Sequence, residues 1–255
     1  PGIAAALPFT GEVYTIDKTP PTVLISSSAS NPTNSAPIPI TITFSESVTG
    51  FDALDVSIGN GAISNFAGGG AVYTFDVTLA AQDLVTVDVA AGVAQDSAGN
   101  GNTAAAQFSI RYDSGAPTVA ISSTATNPTN ASPMPITITF SENVTGFDAL
   151  DVSIGNGSLS NFAGGGAVYT FDVIPAAQGL VTVDVAAGAG IDSAGNGNTA
   201  AAQFSIRYDS GAPTVAISSS ASNPTNSAPI PFTVTFSESV TGFDALDVAI
   251  GNGAI

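Results

Sequence analysis

The sequence predicts an all-β protein assembled from copies of one small sandwich. Three observations predict it. A segment that begins P-T-V at Pro21 returns at Pro117 and again at Pro213, a constant interval of 96 residues. Within each copy, apolar and polar residues alternate with the period of two that marks a half-buried strand, and no run of useful length has the helical period. Clusters of Gly, Pro, Asn, Asp and Ser cut these runs at short intervals, as turns do.

The first two copies are identical at 81 of 96 positions. A period of 96 is too long for a solenoid unit of roughly 20–50 residues and suits one complete domain. The chain therefore divides into residues 1–20, read as the end of a preceding domain and its linker, two full repeats at 21–116 and 117–212, and a partial third at 213–255. Within the first repeat, Asn31-Pro32 marks an early turn. Ile40, Ile42 and Phe44 then alternate with Thr41 and Thr43. After Gly59-Asn60-Gly61 and Gly68-Gly69-Gly70, Tyr73, Phe75 and Val77 alternate with Thr74 and Asp76. Val85, Val87 and Val89 follow with the same period, then the turn-rich stretch from Asp96 to Asn102, then Phe108, Ile110 and Tyr112. One buried and one wet face per strand is the pattern of antiparallel sheets. About seven short strands in about 100 residues is the immunoglobulin-like number, so the expected fold is a series of tandem immunoglobulin-like β-sandwiches. A domain of this size buries enough surface to fold without disulfides.

Composition narrows the chemistry. The chain has no Cys, His or Trp, and 20 acidic residues face 3 basic ones for a formal net charge of -17. Thiolate and imidazole chemistry are excluded, both as catalysis and as metal ligation. Nucleic acid is not an expected partner, because Lys18, Arg111 and Arg207 cannot build a phosphate-binding patch. The single lysine lies outside the repeats, which excludes Lys–Asn isopeptide staples inside them. No stretch approaches the ~18 apolar residues of a membrane span, so no membrane insertion is expected in this segment. With no initiator Met and no basic-then-apolar leader, the chain reads as an internal piece or a processed product, a window on a longer array.

Three motifs recur together: F-S-E-x-V-T-G-F-D from Phe44 to Asp52, D-S-A-G-N from Asp96 to Asn100, and Y-D-x-x-A-P-T-V from Tyr112 to Val119. In them the chain resembles the bacterial Ig-like domains that occur in tandem in large adhesins and biofilm proteins. The resemblance runs from about Asp17 to Ile255 and leaves the first sixteen residues poorly matched. It implies an extracellular stalk at the bacterial cell surface, often stiffened by calcium, with no catalysis of its own.

The acids fall in a pattern. In an up-and-down sandwich the entering linker, the loop after the second strand and the loop before the last strand share one pole. Those segments carry Asp17, Glu46, Asp52 and Asp96 in the first repeat. They carry Asp113, Glu142, Asp148 and Asp192 at the next junction, and Asp209, Glu238 and Asp244 at the third. Four carboxylates at one pole repel, and a hard cation with six to eight oxygen ligands removes that penalty. Ca²⁺ is thus the expected cofactor, with Asn100 or backbone carbonyls completing its shell. The alternative is a set of solvated turn residues, since Asp and Asn favour turns in any case. Asp55, Asp151 and Asp247 read as edge charges or outer ligands.

Other motifs carry less. Leu7-Pro8-Phe9-Thr10-Gly11 matches a sortase signal, but a strand-like run from Glu12 to Asp17 follows instead of an apolar span. Asn130-Ala131-Ser132 and Asn143-Val144-Thr145 fit the glycosylation sequon, which is common by chance in a chain rich in Ser and Thr. The Gly68–Gly70 run has neither the helix nor the lysine of a phosphate loop and reads as a hairpin connection. An Asp52/Asp55 glycosidase dyad lacks an aromatic-lined cleft. The expectation is a non-catalytic stalk whose partners are the neighbouring domains of the same chain. Like chains in a fibre or surface layer are a second possibility, and a glycan- or protein-binding sandwich a third.

Overall fold

The alternating runs become strands in the structure, a computed structural model that describes residues 11, 15–253 and 255. The first repeat contains β1 (Val23–Ser27), β2 (Ile38–Val48), a 3-10 turn (Ala53–Asp55), β3 (Val56–Gly59), β4 (Gly61–Leu79), β5 (Asp83–Val89) and β6 (Phe108–Tyr112). Two antiparallel sheets form, β1-β2-β4 and β3-β5-β6. The second repeat reproduces both. Its strands are β7 (Val119–Ser123), β8 (Met134–Val144), β9 (Val152–Gly155), β10 (Gly157–Pro175), β11 (Gly179–Val185) and β12 (Phe204–Tyr208). In the third, β13 (Val215–Ser219) pairs with β14 (Phe232–Phe236), followed by a 3-10 turn at Ala245–Asp247.

The period of two is realised as burial. Ile38, Ile40, Ile42 and Phe44 point into the first sandwich, and Val85, Val87 and Val89 meet them from the other sheet. Side chains from the two inner faces fill the space between, as in any aligned sandwich. The second repeat packs the same way around Ile136, Ile138, Phe171 and Val183.

The expected seven strands appear as six runs because the fourth is a hairpin. Thr78 Oγ1 donates to the Ala62 carbonyl at 3.0 Å, and Ser64 Oγ to the Asp76 carbonyl at 3.2 Å, so the run folds back on itself around Gly68–Gly70. Its second half, from Val72 to Val77, pairs with β2. Counted this way, four strands face three, which is the constant-type immunoglobulin-like arrangement. Gly68 has φ +122°, and a Cβ there would meet the Val72 carbonyl oxygen and lie 2.7 Å from Tyr73 Cα. Gly68→Ala is therefore expected to cost about 1–2 kcal/mol, read as a lowered midpoint in urea unfolding.

The two sheets are also joined along one edge. Thr33 pairs in parallel with Tyr112 beyond the end of β1. The Thr33 N–H donates to the Arg111 carbonyl, and the Asp113 N–H donates to the Thr33 carbonyl. The loop after β1 is thereby fixed beside the start of the linker to the next repeat. At the N-terminus, residues 1–10 and 12–14, with most of the sortase-like motif and of the strand expected after it, lie outside the described residues. Of that expected strand, Thr15, Ile16 and Asp17 carry no strand structure. Among the described residues, no helix is long and apolar enough to cross a membrane.

Candidate metal centre at the domain junction

Three segments are drawn to one pole by backbone hydrogen bonds. Thr49 and Gln95 exchange N–H···O bonds of 2.7 and 3.0 Å, which joins the loop after β2 to the loop before β6. The Thr103 N–H donates to the Pro21 carbonyl, which ties the linker to that same loop. The Ser45 N–H donates to the Thr22 carbonyl, which brings in the end of β2. Thr145–Ile191, Thr199–Pro117 and Ser141–Thr118 do the same in the second repeat.

The loop from Asp96 to Asn102 is organised by its own side chains. Asp96 is only 4% exposed, so its charge must be met locally. The N–H groups of Ala98 and Asn100 donate to its Oδ1, and Asn100 Nδ2 donates to its Oδ2, all at 2.8 Å. These bonds, led by the one from the Asn100 amide, hold its carboxyl below the usual aspartate range. Asn102, also buried, accepts from the Ala94 N–H and donates to the Ala90 and Thr103 carbonyls. In the second repeat the N–H groups of Ala194, Gly195 and Asn196 all donate to Asp192 Oδ1, and Asn196 Nδ2 donates to Oδ2. Burial alone would raise Asp192, but these donors outweigh it and the net shift is downward.

Asp17, Glu46 and Asp96 each bring a carboxylate oxygen to a point where all three lie within 4.8 Å of one another. Asp113, Glu142 and Asp192 form the same group at the next junction. The linker acids are held by short local turns: the Thr19 N–H donates to Asp17 Oδ1, and the Gly115 N–H to Asp113 Oδ1. Glu142 is pushed up from its ordinary value, first by burial and then by repulsion from Asp192 and Asp113. At the third junction, Asp209 and Glu238 line one polar hollow with Thr126, Pro128, Thr129 and Asn130. No counterpart of Asp96 and Asp192 is present within residues 209–255.

Asp52, Asp148 and Asp244 are placed elsewhere, and none belongs to either three-carboxylate group. Each caps a 3-10 turn. Asp52 Oδ1 accepts from the Leu54 N–H, and Asp55 accepts in return from the Asp52 N–H, a reciprocal capping box. Asp148 with Asp151 and Asp244 with Asp247 repeat the box. That also gives Asp55, Asp151 and Asp247 their role. Asn100 departs from expectation as well: its amide nitrogen, not its oxygen, faces Asp96 and the Asp17 carbonyl. The importance of Asn102 and Asn198 was not read from the sequence. The only signal was a second asparagine two residues after the first in D-S-A-G-N-G-N.

An all-oxygen set of this spacing fits one hard divalent cation. Oxygens that share a calcium ion at about 2.3–2.6 Å can be no more than ~5 Å apart. Asp113, Glu142 and Asp192 would hold it, and its charge would remove the repulsion that raises Glu142.

The sequence profile described as a bacterial Ig-like domain matches residues 17–112, 113–208 and 209–255. No curated protein matches the sequence. Among solved structures, the chain is similar to the N-terminal part of the bacterial S-layer protein SbsC at 13% identity and a TM-score of 0.28. That similarity covers 75% of this chain and 44% of the other, so the chain spans less than half the length of that structure.

Proposed function

Because this chain belongs to the bacterial Ig-like domain family, in three consecutive copies, we propose that it is a non-catalytic stalk of a bacterial surface adhesin or matrix protein, its junctions stiffened by calcium. The family fits an extracellular or surface module. The observation that carries the finer reading is the recurrence of one carboxylate group at two successive junctions. In each group, one acid comes from the linker and two from the domain that follows it. A cation bound by all three restrains the linker against that domain. Strands of this length span roughly 30 Å, so each repeat with its linker advances the chain by about 40 Å. Repeats that touch only their neighbours allow length to change without redesign of the fold.

Calcium titration tests the proposal. A ligand present at ~10–100 times its Kd stabilises the form that binds it by about 1.4–2.7 kcal/mol. Millimolar Ca²⁺ is expected to raise the melting temperature of both full repeats, and EGTA to reverse the rise and broaden the X-ray scattering envelope of the chain. Identical melting and scattering curves in Ca²⁺ and in EGTA would rule the calcium role out.

A further inference from the structure

We infer that the repeats are also joined by a cation-independent latch, in which Asn34 of the first repeat holds the Asp192–Asn198 loop of the second. The inference rests on the stalk reading only for its purpose, not for its contacts. Asn34 follows Thr33, whose parallel pairing with Tyr112 sets it beside Asp113 at the C-terminal pole of its domain. From there the Asn34 N–H donates to the Ala194 carbonyl at 3.1 Å. Its Nδ2 donates to Asn196 Oδ1 at 3.3 Å. Asn196 Nδ2 in turn donates to the Asp113 carbonyl and to Asp192 Oδ2, both at 2.9 Å.

Asn196 therefore touches three segments at once: the linker, the preceding domain and the buried acid of its own loop. The three contacts that cross the junction, from Asn34 to Ala194 and Asn196 and from Asn196 to the Asp113 carbonyl, are made by neutral amides and backbone, so none needs a metal. Gly195 shows how close the approach is. Its φ is +99°, and a Cβ on it would lie 3.3 Å from Asn34 Nδ2. The partner that the loop after β1 fits is thus the D-S-A-G-N-G-N loop of the next repeat. Asn130 holds the same register in the second repeat and lines the polar hollow that faces the third.

The absence of cysteine makes the test direct. Thr74→Cys and Thr170→Cys, both at exposed strand positions, supply two spin-label sites in the full chain. The distance distribution between the labels is measured by pulsed electron resonance in EGTA. Asn34→Ala is expected to broaden the distribution of the background chain about twofold or more, because exposed interdomain contacts leave relative motion as the default. Asn130→Ala makes the same substitution at the same register without touching this junction, and should leave the distribution unchanged. Superimposable distributions for Asn34→Ala and the background chain would overturn the latch. So would equal broadening by both variants, which would place the effect within the domains. The response of the background chain to added Ca²⁺ reads the calcium proposal separately.

Discussion

Asp192→Ala is expected to destabilise the second repeat by about 2–4 kcal/mol in metal-free buffer, while Glu142→Gln leaves it unchanged or slightly more stable. The two acids belong to one group, yet their surroundings are opposite. Asp192 is buried and receives three backbone N–H groups and one amide. Removing it strands those donors, and each orphaned buried donor costs about 1–3 kcal/mol before the loop relaxes. Relief of the repulsion on Glu142 offsets part of the loss, which keeps the net figure below the simple sum. Glu142 meets mainly burial and like charge, so neutralising it removes a cost.

The pH dependence separates the two further. The pKa of Asp192 is lowered in the fold, so its contribution is present above the unfolded aspartate value of about 3.9 and fades as pH falls through the folded value. The pKa of Glu142 is raised, so the parent chain is most stable, with respect to this group, below about pH 4.3 and loses that stability as pH rises through the folded value. The advantage of Glu142→Gln should therefore exist at neutral pH and vanish in acid. Calorimetry of the full chain reads both, because a lesion in one repeat separates its transition from that of the other by roughly 4–8 °C per kcal/mol. Equal losses from the two variants would show that the acids are not differently supported. With Ca²⁺ present, both substitutions are expected to weaken binding.

Phe147→Ala should cost the second repeat about 3–5 kcal/mol, the range for deleting a buried aromatic ring. Phe147 is almost fully buried and packs edge-on to Phe140 and Tyr169, with centroids 5.1 and 4.9 Å away. Phe162 lies against it at 6.0 Å. Phe140 and Phe147 are the two aromatic residues of F-S-E-x-V-T-G-F-D, so the motif that carries Glu142 and Asp148 is anchored at both ends by one aromatic cluster. Leu150 provides the contrast. It lies three residues further on and is 93% exposed, so Leu150→Ala should change stability by no more than about 0.5 kcal/mol. Urea unfolding of the two variants, followed repeat by repeat, checks both values. A loss below about 1 kcal/mol for Phe147→Ala would mean that the cluster does not support this pole.

Much of this was legible because it is local or periodic. The 96-residue interval, the alternation in β2, β5 and β6, and the fold-back at Gly68–Gly70 each depend on residues close in sequence. The convergence of linker, β2 and the Asp96 loop followed from strand direction alone, since antiparallel neighbours return to the same pole. Asp52 was not separable from Asp96 on that basis, because both are turn acids in pole loops. What divides them is whether the carboxylate around which the next few N–H groups curl stays exposed, as at Asp52, or is itself buried, as at Asp96.

By itself, the sequence determined the fold class and the repeat unit, and it restricted any metal site to oxygen ligands. Without Cys or His, a metal would have to be held through oxygen, and a strand pattern of period two admits only sheets. The tertiary structure alone decided which acids share a site and what else crosses the junction. Asn34 and Asn196 are 162 residues apart, and no spacing rule links them. They meet because the Thr33–Tyr112 pairing presents one domain's loop to the next domain's pole, and such contacts exist only once both sandwiches have closed.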